Sequence, residues 1–353
     1  MAVINAIGTA TPGHDIHLAF VDWASAQVDD PRRRKLFQRM VERSGIEHRY
    51  SILPHAKGGG SPVDPGGYYA TNPLPSTAER MRTYADHAPK LALQAIANLA
   101  RQHDIAGITH LVVASCTGFI APGIDQIIAR ALGLSGSVER MLIGFMGCYA
   151  AVTALRTARH IVRSDPAARV LVVTVELSTL HLEETHEIEP LLAMLQFADG
   201  AAAALVTATG PGLAIERGFS MTLDQSDELI RWDIGNQGFV MRLSGEVPGR
   251  IGEALTTHEG RSAVVGGADV ATIDSWAVHA GGRSILDAVE HGLGLAPTAL
   301  ESSRGVLRDS GNMSSATLMF VLAREFPKLP GSGVALAFGP GLAAEGFHYG
   351  WID

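Results

Sequence analysis

Only two of the 353 residues are cysteine, Cys116 and Cys148. So sparse a set excludes a disulfide scaffold and suits a reducing compartment. Charge is sparse too: charged residues make up 18% of the chain, the net charge is −8, and no long basic run occurs. That argues against nucleic acid, and against stable association with an anionic membrane. No stretch approaches the ~18 consecutive apolar residues of a membrane-spanning helix. Residues 1–8 carry no basic region ahead of their short apolar run, so a first strand is expected there, not a signal peptide, in a cytoplasmic protein. What the chain has in quantity is hydrophobic residues, 46%. That is ample for a large core, and the length fits about two domains.

Apolar runs alternate with amphipathic ones. Residues 110–115, 141–145, 169–176, 201–206, 275–279 and 334–338 read as strands, several continuous enough in Val and Leu to be covered on both faces. Helical periodicity marks 32–47, 80–103, 122–134, 149–164, 250–258, 283–292 and 313–325. Residues 54–79, with Gly-Gly-Gly and Pro-Gly-Gly, read as a surface loop. After about residue 218 the chain turns polar. The alternation predicts an α/β protein with parallel or mixed sheets, divided into units 1–218 and 219–353.

The two units resemble each other. Val-Ala-Ser-Cys116 is followed by a helix ending Ala-Leu-Gly-Leu, then by Gly-Cys148-Tyr-Ala-Ala and a Val-rich strand. In the second unit Ala-Val-His279-Ala-Gly-Gly is followed by a helix ending Gly-Leu-Gly-Leu, then by Gly-Asn312-Met-Ser-Ser and another apolar strand. Cys116 and Cys148 are 32 positions apart, His279 and Asn312 33. An internal duplication of this kind places Cys148 and Asn312 at equivalent helix starts, with His279 at a strand end facing them.

Such a set has a coherent chemistry. A thiol at a helix start feels unpaired N–H groups and the positive end of the helix dipole, which favour the thiolate, and an imidazole neighbour favours it further. His and Asn both carry N–H donors able to hold the oxygen of a thioester as it becomes an oxyanion or enolate. Taken singly, each residue has an ordinary alternative: a small buried hydrophobe for Cys148, a core histidine for His279, a helix cap for Asn312.

Several motifs in order resemble those of the chalcone synthase family, the type III polyketide synthases of the thiolase fold. Gly-Cys148-Tyr-Ala-Ala resembles the nucleophile motif, Trp276-Ala-Val-His279-Ala-Gly-Gly the histidine motif, Gly311-Asn312-Met-Ser-Ser-Ala-Thr the asparagine motif and Phe338-Gly-Pro-Gly-Leu342 the C-terminal loop. Phe197-Ala-Asp-Gly-Ala resembles the segment of the gatekeeper Phe. The resemblance implies a duplicated α-β-α-β-α thiolase-like fold, a homodimer, and a catalytic triad of Cys148, His279 and Asn312. It also implies decarboxylative condensation of malonyl-CoA onto an acyl-CoA starter held at Cys148, with no metal or redox cofactor.

Further roles follow from matching positions. Phe197 would guard the passage between the CoA tunnel and the cavity, and Cys116, His181, Trp232, Met241 and Ser314 would line that cavity. Cys116 and His181 stand where chalcone synthase has Thr, Trp232 where it has Gly, Met241 where it has Phe and Ala121 where it has Met. These departures imply a reshaped cavity and a pyrone, a resorcinol or a related phenolic product. Lys35, Arg39 and Arg43 match the basic residues that contact CoA, which an acidic protein needs locally for a polyanion. A β-ketoacyl synthase III of fatty-acid metabolism is the nearest alternative; a Cys-His hydrolase and a non-catalytic acyl-binding paralogue stand further off.

Overall fold

A computed structural model describes all 353 residues. The strands are β1 (Val3–Ala10), β2 (His14–Asp15), β3 (Tyr50–Ser51), β4 (His110–Ser115), β5 (Glu139–Gly144), β6 (Val170–Leu177), β7 (Asp199–Thr207), β8 (Gly212–Thr222), β9 (Ile230–Gly235), β10 (Gly238–Leu243), β11 (Ser275–Val278), β12 (Gly333–Gly339) and β13 (Ala343–Ile352). The helices are α1 (His17–Gln27), α2 (Pro31–Ser44), α3 (Thr77–Ala100), α4 (Ile124–Ala131), α5 (Ala150–Ser164), α6 (Ile188–Gln196), α7 (Val247–Thr256), α8 (His258–Val265), α9 (Arg283–Leu293), α10 (Glu301–Ser310) and α11 (Ser315–Glu325).

Nine strands form one sheet in the order β11-β12-β13-β8-β1-β7-β6-β4-β5. The repeat in the sequence is a repeat in pairing. β4–β6 is parallel, and β6–β7 and β7–β1 are antiparallel. In the second unit β11–β12 is parallel, and β12–β13 and β13–β8 are antiparallel. Within the sheet the two halves pair through Val3–Ala214 and Ile4–Leu213.

Side-chain alternation along the strands builds the layers. On β6, Val170 and Val172 enter a central core with Leu155 of α5 and Leu318 of α11, whereas Leu171 and Val173 enter a second core with Leu91 and Leu99 of α3. On β12, Ala335 and Ala337 face the central core, and Val334 and Leu336 face a third, with Leu286 and Val289 of α9. Helices α5 and α11 thus lie between the two halves of the sheet, and other helices cover both outer faces. This is the thiolase-like α-β-α-β-α arrangement.

Two differences from the sequence reading have physical causes. Strand β8 runs across the expected boundary at 218/219, paired with β13 along its length, so the seam between halves lies ahead of it. Residues 216–218 on β8 are exposed, which breaks the apolar pattern there. Helix α10 escapes the periodicity because much of its buried face is Ser302, Ser303 and Gly305.

Candidate active site

The chain leaves β5, passes through Phe145, whose φ is 58°, and makes a single 3-10 turn over Gly147–Tyr149 before α5. Cys148 therefore sits at a helix start, as expected. Gly147 has φ 71°, and a Cβ there would lie 2.3 Å from the Pro340 side chain. The Gly-Pro-Gly loop after β12 is thus seated directly on the Cys148 turn, and a glycine is required where the two meet.

Across the pseudo-repeat, Asn312 precedes α11 by two residues before its N-cap, Ser314. The Asn312 backbone bridges to the other half: its N–H donates to the Gln196 carbonyl (2.8 Å), and its carbonyl accepts from Ala198 N–H (2.9 Å). Its side chain is fixed at both ends, Nδ2 donating to the Gly281 carbonyl (3.2 Å) and Oδ1 accepting from Ser314 N–H (2.8 Å). The Cys148 thiol meets the Ser314 hydroxyl at 3.8 Å, and hydrogen bonding to Ser314 and Asn312 favours its charged form. His279 follows β11 and is 2% exposed, with no hydrogen-bond partner on either ring nitrogen.

The resting charge state differs from the expectation of a thiolate. Burial pushes the Cys148 thiol up to about 12, despite the two hydrogen bonds that favour its charged form, and pushes the His279 imidazole down to about 3. Removing each group from water separately outweighs the helix-start effect. Both are neutral at rest, no hydrogen bond joins them, and the neutral imidazole keeps one N–H free to donate.

Cys116, like Ser314, is not among the residues that line the cavity of His181, Trp232 and Met241. Its sulfur accepts the Gly147 N–H at 2.9 Å, and the residue is 1% exposed. It braces the Cys148 turn from beneath, and burial raises its thiol well above the ordinary range. Beneath the site lies Glu176, at the end of β6 and missed in the sequence although a carboxylate closing a wholly buried run is a signal in itself. It accepts from Cys116 N–H, from the Thr117 hydroxyl and from the Ser315 hydroxyl, tying β4, β6 and α11 together. Burial raises it to about 7 even so.

His181, Trp232, Met241 and Phe197 converge on one cavity of about 60 Å³. His181 donates from Nε2 to the Thr117 carbonyl (2.8 Å) and accepts at Nδ1 from Phe239 N–H (2.9 Å), which holds it neutral between Phe239 and Trp232. The indole of Trp232 donates to the Cys116 carbonyl at 2.8 Å. Phe197 pairs through its backbone with Asn312. Arg49, also missed, lines the same cavity and donates to the Phe197 carbonyl at 2.7 Å. Ala121 lies exposed at the surface, away from this lining.

Lys35, Arg39 and Arg43 all lie exposed along α2. Only Arg43 borders the adjoining cleft of about 570 Å³, with Gln196, Gly282 and Arg283.

A cysteine at one helix start, an asparagine ahead of its counterpart and a histidine at a strand end, set in a duplicated thiolase-like sandwich, define an acyl-transferring condensing enzyme. Family models described as chalcone and stilbene synthases match both halves, the N-terminal domain over residues 1–211 and the C-terminal domain over 215–350. The chain belongs to the chalcone and stilbene synthase family and is a type III polyketide synthase. It is 33% identical to the alpha-pyrone synthesis polyketide synthase-like Pks18 of Mycobacterium tuberculosis, over 99% of this chain and 91% of that one. It is 32% identical to the bisdemethoxycurcumin synthase of Oryza sativa subsp. japonica, over 98% and 91%. Among solved structures, PKS-I from the brown alga Ectocarpus siliculosus superposes with a TM-score of 0.87 at 29% identity, over 99% of this chain and 98% of that one. The β-ketoacyl synthase III alternative is not favoured by these matches.

Proposed function

We propose that the enzyme loads an acyl group from an acyl-CoA starter onto Cys148, with CoA as the leaving group, and extends it with malonyl-CoA. His279 and Asn312 donate N–H bonds to the malonyl thioester oxygen. As CO2 leaves, the electron pair of the broken C–C bond becomes the enolate, which those donors hold. The enolate carbon attacks the acyl-Cys148 carbonyl and expels the thiolate. The lengthened chain returns to Cys148 for further rounds and then cyclises to a pyrone, a resorcinol or a related phenolic. The one observation that carries this reading is the buried, unpartnered His279 ring, two residues before the Gly281 whose carbonyl accepts from the Asn312 amide. A buried donor without a partner is costly, and a thioester oxygen supplies the acceptor. The pyrone outcome draws support from a 33% identical relative named for alpha-pyrone synthesis.

Phe197 would guard the passage between the two openings, and the cleft beside Arg43 and Arg283 would take the CoA phosphates, with Lys35 and Arg39 adding to the field. Ser314 contacts the nucleophile and would sense the acyl group. The chemistry needs no metal and no redox cofactor. The enzyme would act as a cytoplasmic homodimer, without nucleic acid or stable membrane association; no helix is long and apolar enough to cross a membrane.

Cys148→Ala with malonyl-CoA and a graded acyl-CoA panel should lower polyketide product by roughly a thousandfold or more while leaving measurable conversion of malonyl-CoA to acetyl-CoA. His279→Ala should remove that decarboxylation as well. Full synthesis by Cys148→Ala, read by mass spectrometry, rejects the assignment.

A further inference from the structure

Apart from His279, two buried polar atoms without partners fall in one place. Arg49 Nη2 and Ser178 Oγ belong to residues that both line the cavity behind Phe197. Arg49 is 1% exposed. Its Nε donates to His17 Nδ1 (3.1 Å), and its Nη1 to the carbonyls of Met194 (3.0 Å) and Phe197 (2.7 Å). None of its contacts is an ion pair. Asp15 and Asp199 act on it only at longer range, and burial lowers it to about 9, so it stays cationic at neutral pH.

Most of the other polar side chains of the cavity are committed, the Glu183 carboxylate being the exception. The Ser51 and Thr179 hydroxyls bond each other, and Thr179 also donates to Asp199. The Tyr69 hydroxyl donates to the Thr179 carbonyl at 2.6 Å. His181 uses both nitrogens and Trp232 its indole N–H. Most of the remaining lining is apolar, including Ile16, Phe20, Leu53 and Met194. A wholly alkyl group in this space would leave the guanidinium N–H and the hydroxyl unpaired, whereas an oxygen supplies the acceptor that these donors lack. The occupant is not the malonyl carboxylate, because an ion pair with a guanidinium would hold the charge that decarboxylation must release.

We propose that this cavity selects an acyl starter whose distal end carries an oxygen acceptor (a hydroxyl or a carboxylate), bound by Arg49 and Ser178. The inference rests on the synthase reading above and specifies its substrate class. With about 60 Å³ available, the cavity takes the terminal group of the starter and not a long tail.

The test compares hexanoyl-CoA, ω-hydroxyhexanoyl-CoA and adipoyl-CoA as starters with malonyl-CoA, reading kcat/KM for each. The expected result is a preference of about tenfold or more for an oxygenated starter, because a site built to hydrogen-bond an oxygen discriminates against the analogue lacking it. A lead for adipoyl-CoA identifies a carboxylate, and a lead for the hydroxy compound a neutral acceptor. Arg49→Gln and the milder Ser178→Ala should each lower the ratio of oxygenated to plain starter. A merely structural defect lowers all starters together and leaves the ratio intact. Preference for hexanoyl-CoA in the native enzyme, or an unchanged ratio in Ser178→Ala, overturns the inference while leaving the synthase reading standing. If no acyl-CoA loads Cys148 and malonyl-CoA is not decarboxylated, the synthase reading fails and this inference falls with it.

Discussion

Glu176 shows how a single side chain can tie the site together and still carry a cost. Three residues donate to it, yet burial dominates and lifts its carboxyl from 4.5 to about 7. Between those values the native state holds a proton that the unfolded chain has released. Stability is therefore greatest below pH 4.5 for this group and falls as pH rises through 7, by on the order of a few kcal/mol. Glu176→Gln is neutral throughout, so its melting temperature should lose that downward slope relative to the native enzyme. Parallel melting curves from pH 5 to 8 would reject the raised carboxyl. Residues differ in how openly the sequence announces them. Cys148, His279 and Asn312 stand in distinctive motifs; Cys148 meets Ser314, and the Asn312 amide donates to Gly281, two residues past His279. Cys116 misleads, because a small residue at a strand end can face a cavity or brace a turn, and only the Gly147 N–H on its sulfur decides which. Arg49 lies just past the basic helix expected at 32–47 and in no motif, although it is wholly enclosed.

Among elements, the turn that carries Cys148 depends on a contact between distant segments. Gly147 needs its positive φ and its missing side chain at once, because Pro340 fills the space a Cβ would take. Gly147→Ala should destabilise the protein by roughly 2 kcal/mol or more and lower kcat more than KM, since the displaced atom is the sulfur of the next residue. Thermal unfolding with steady-state kinetics checks this, and a variant of native stability and rate would show that the turn yields easily. Strands β4, β6, β7, β11 and β12 were legible as apolar runs. Helix α1 was not, because its buried face is only His17, Phe20 and Ala24. The hairpin of β9 and β10 reads simply as polar chain, yet it brings Trp232 and Met241 to the cavity.

At the scale of the whole molecule, one margin of the sheet is open. β5 is the last strand in the order, and its Met141 and Leu142 are 46% and 42% exposed, near Phe119 at 41%. An unpaired edge with apolar side chains invites pairing with another chain, and a second copy related by twofold symmetry is the simplest partner. Met141→Lys with Leu142→Glu should convert the proposed dimer to monomer in light scattering after gel filtration. A native monomer, or a double variant that stays dimeric, would place the contact elsewhere.

Helices α5 and α11 lie in one central layer whose core draws residues from both halves. Each half therefore relies on the other to cover its inner face. The seam between residues 211 and 215, where the two family models meet, is not a place where the molecule comes apart. A gene cut there would yield two chains, each with a raw apolar surface and neither with all of Cys148, His279 and Asn312, so the two repeats stand or fall as a single cooperative unit.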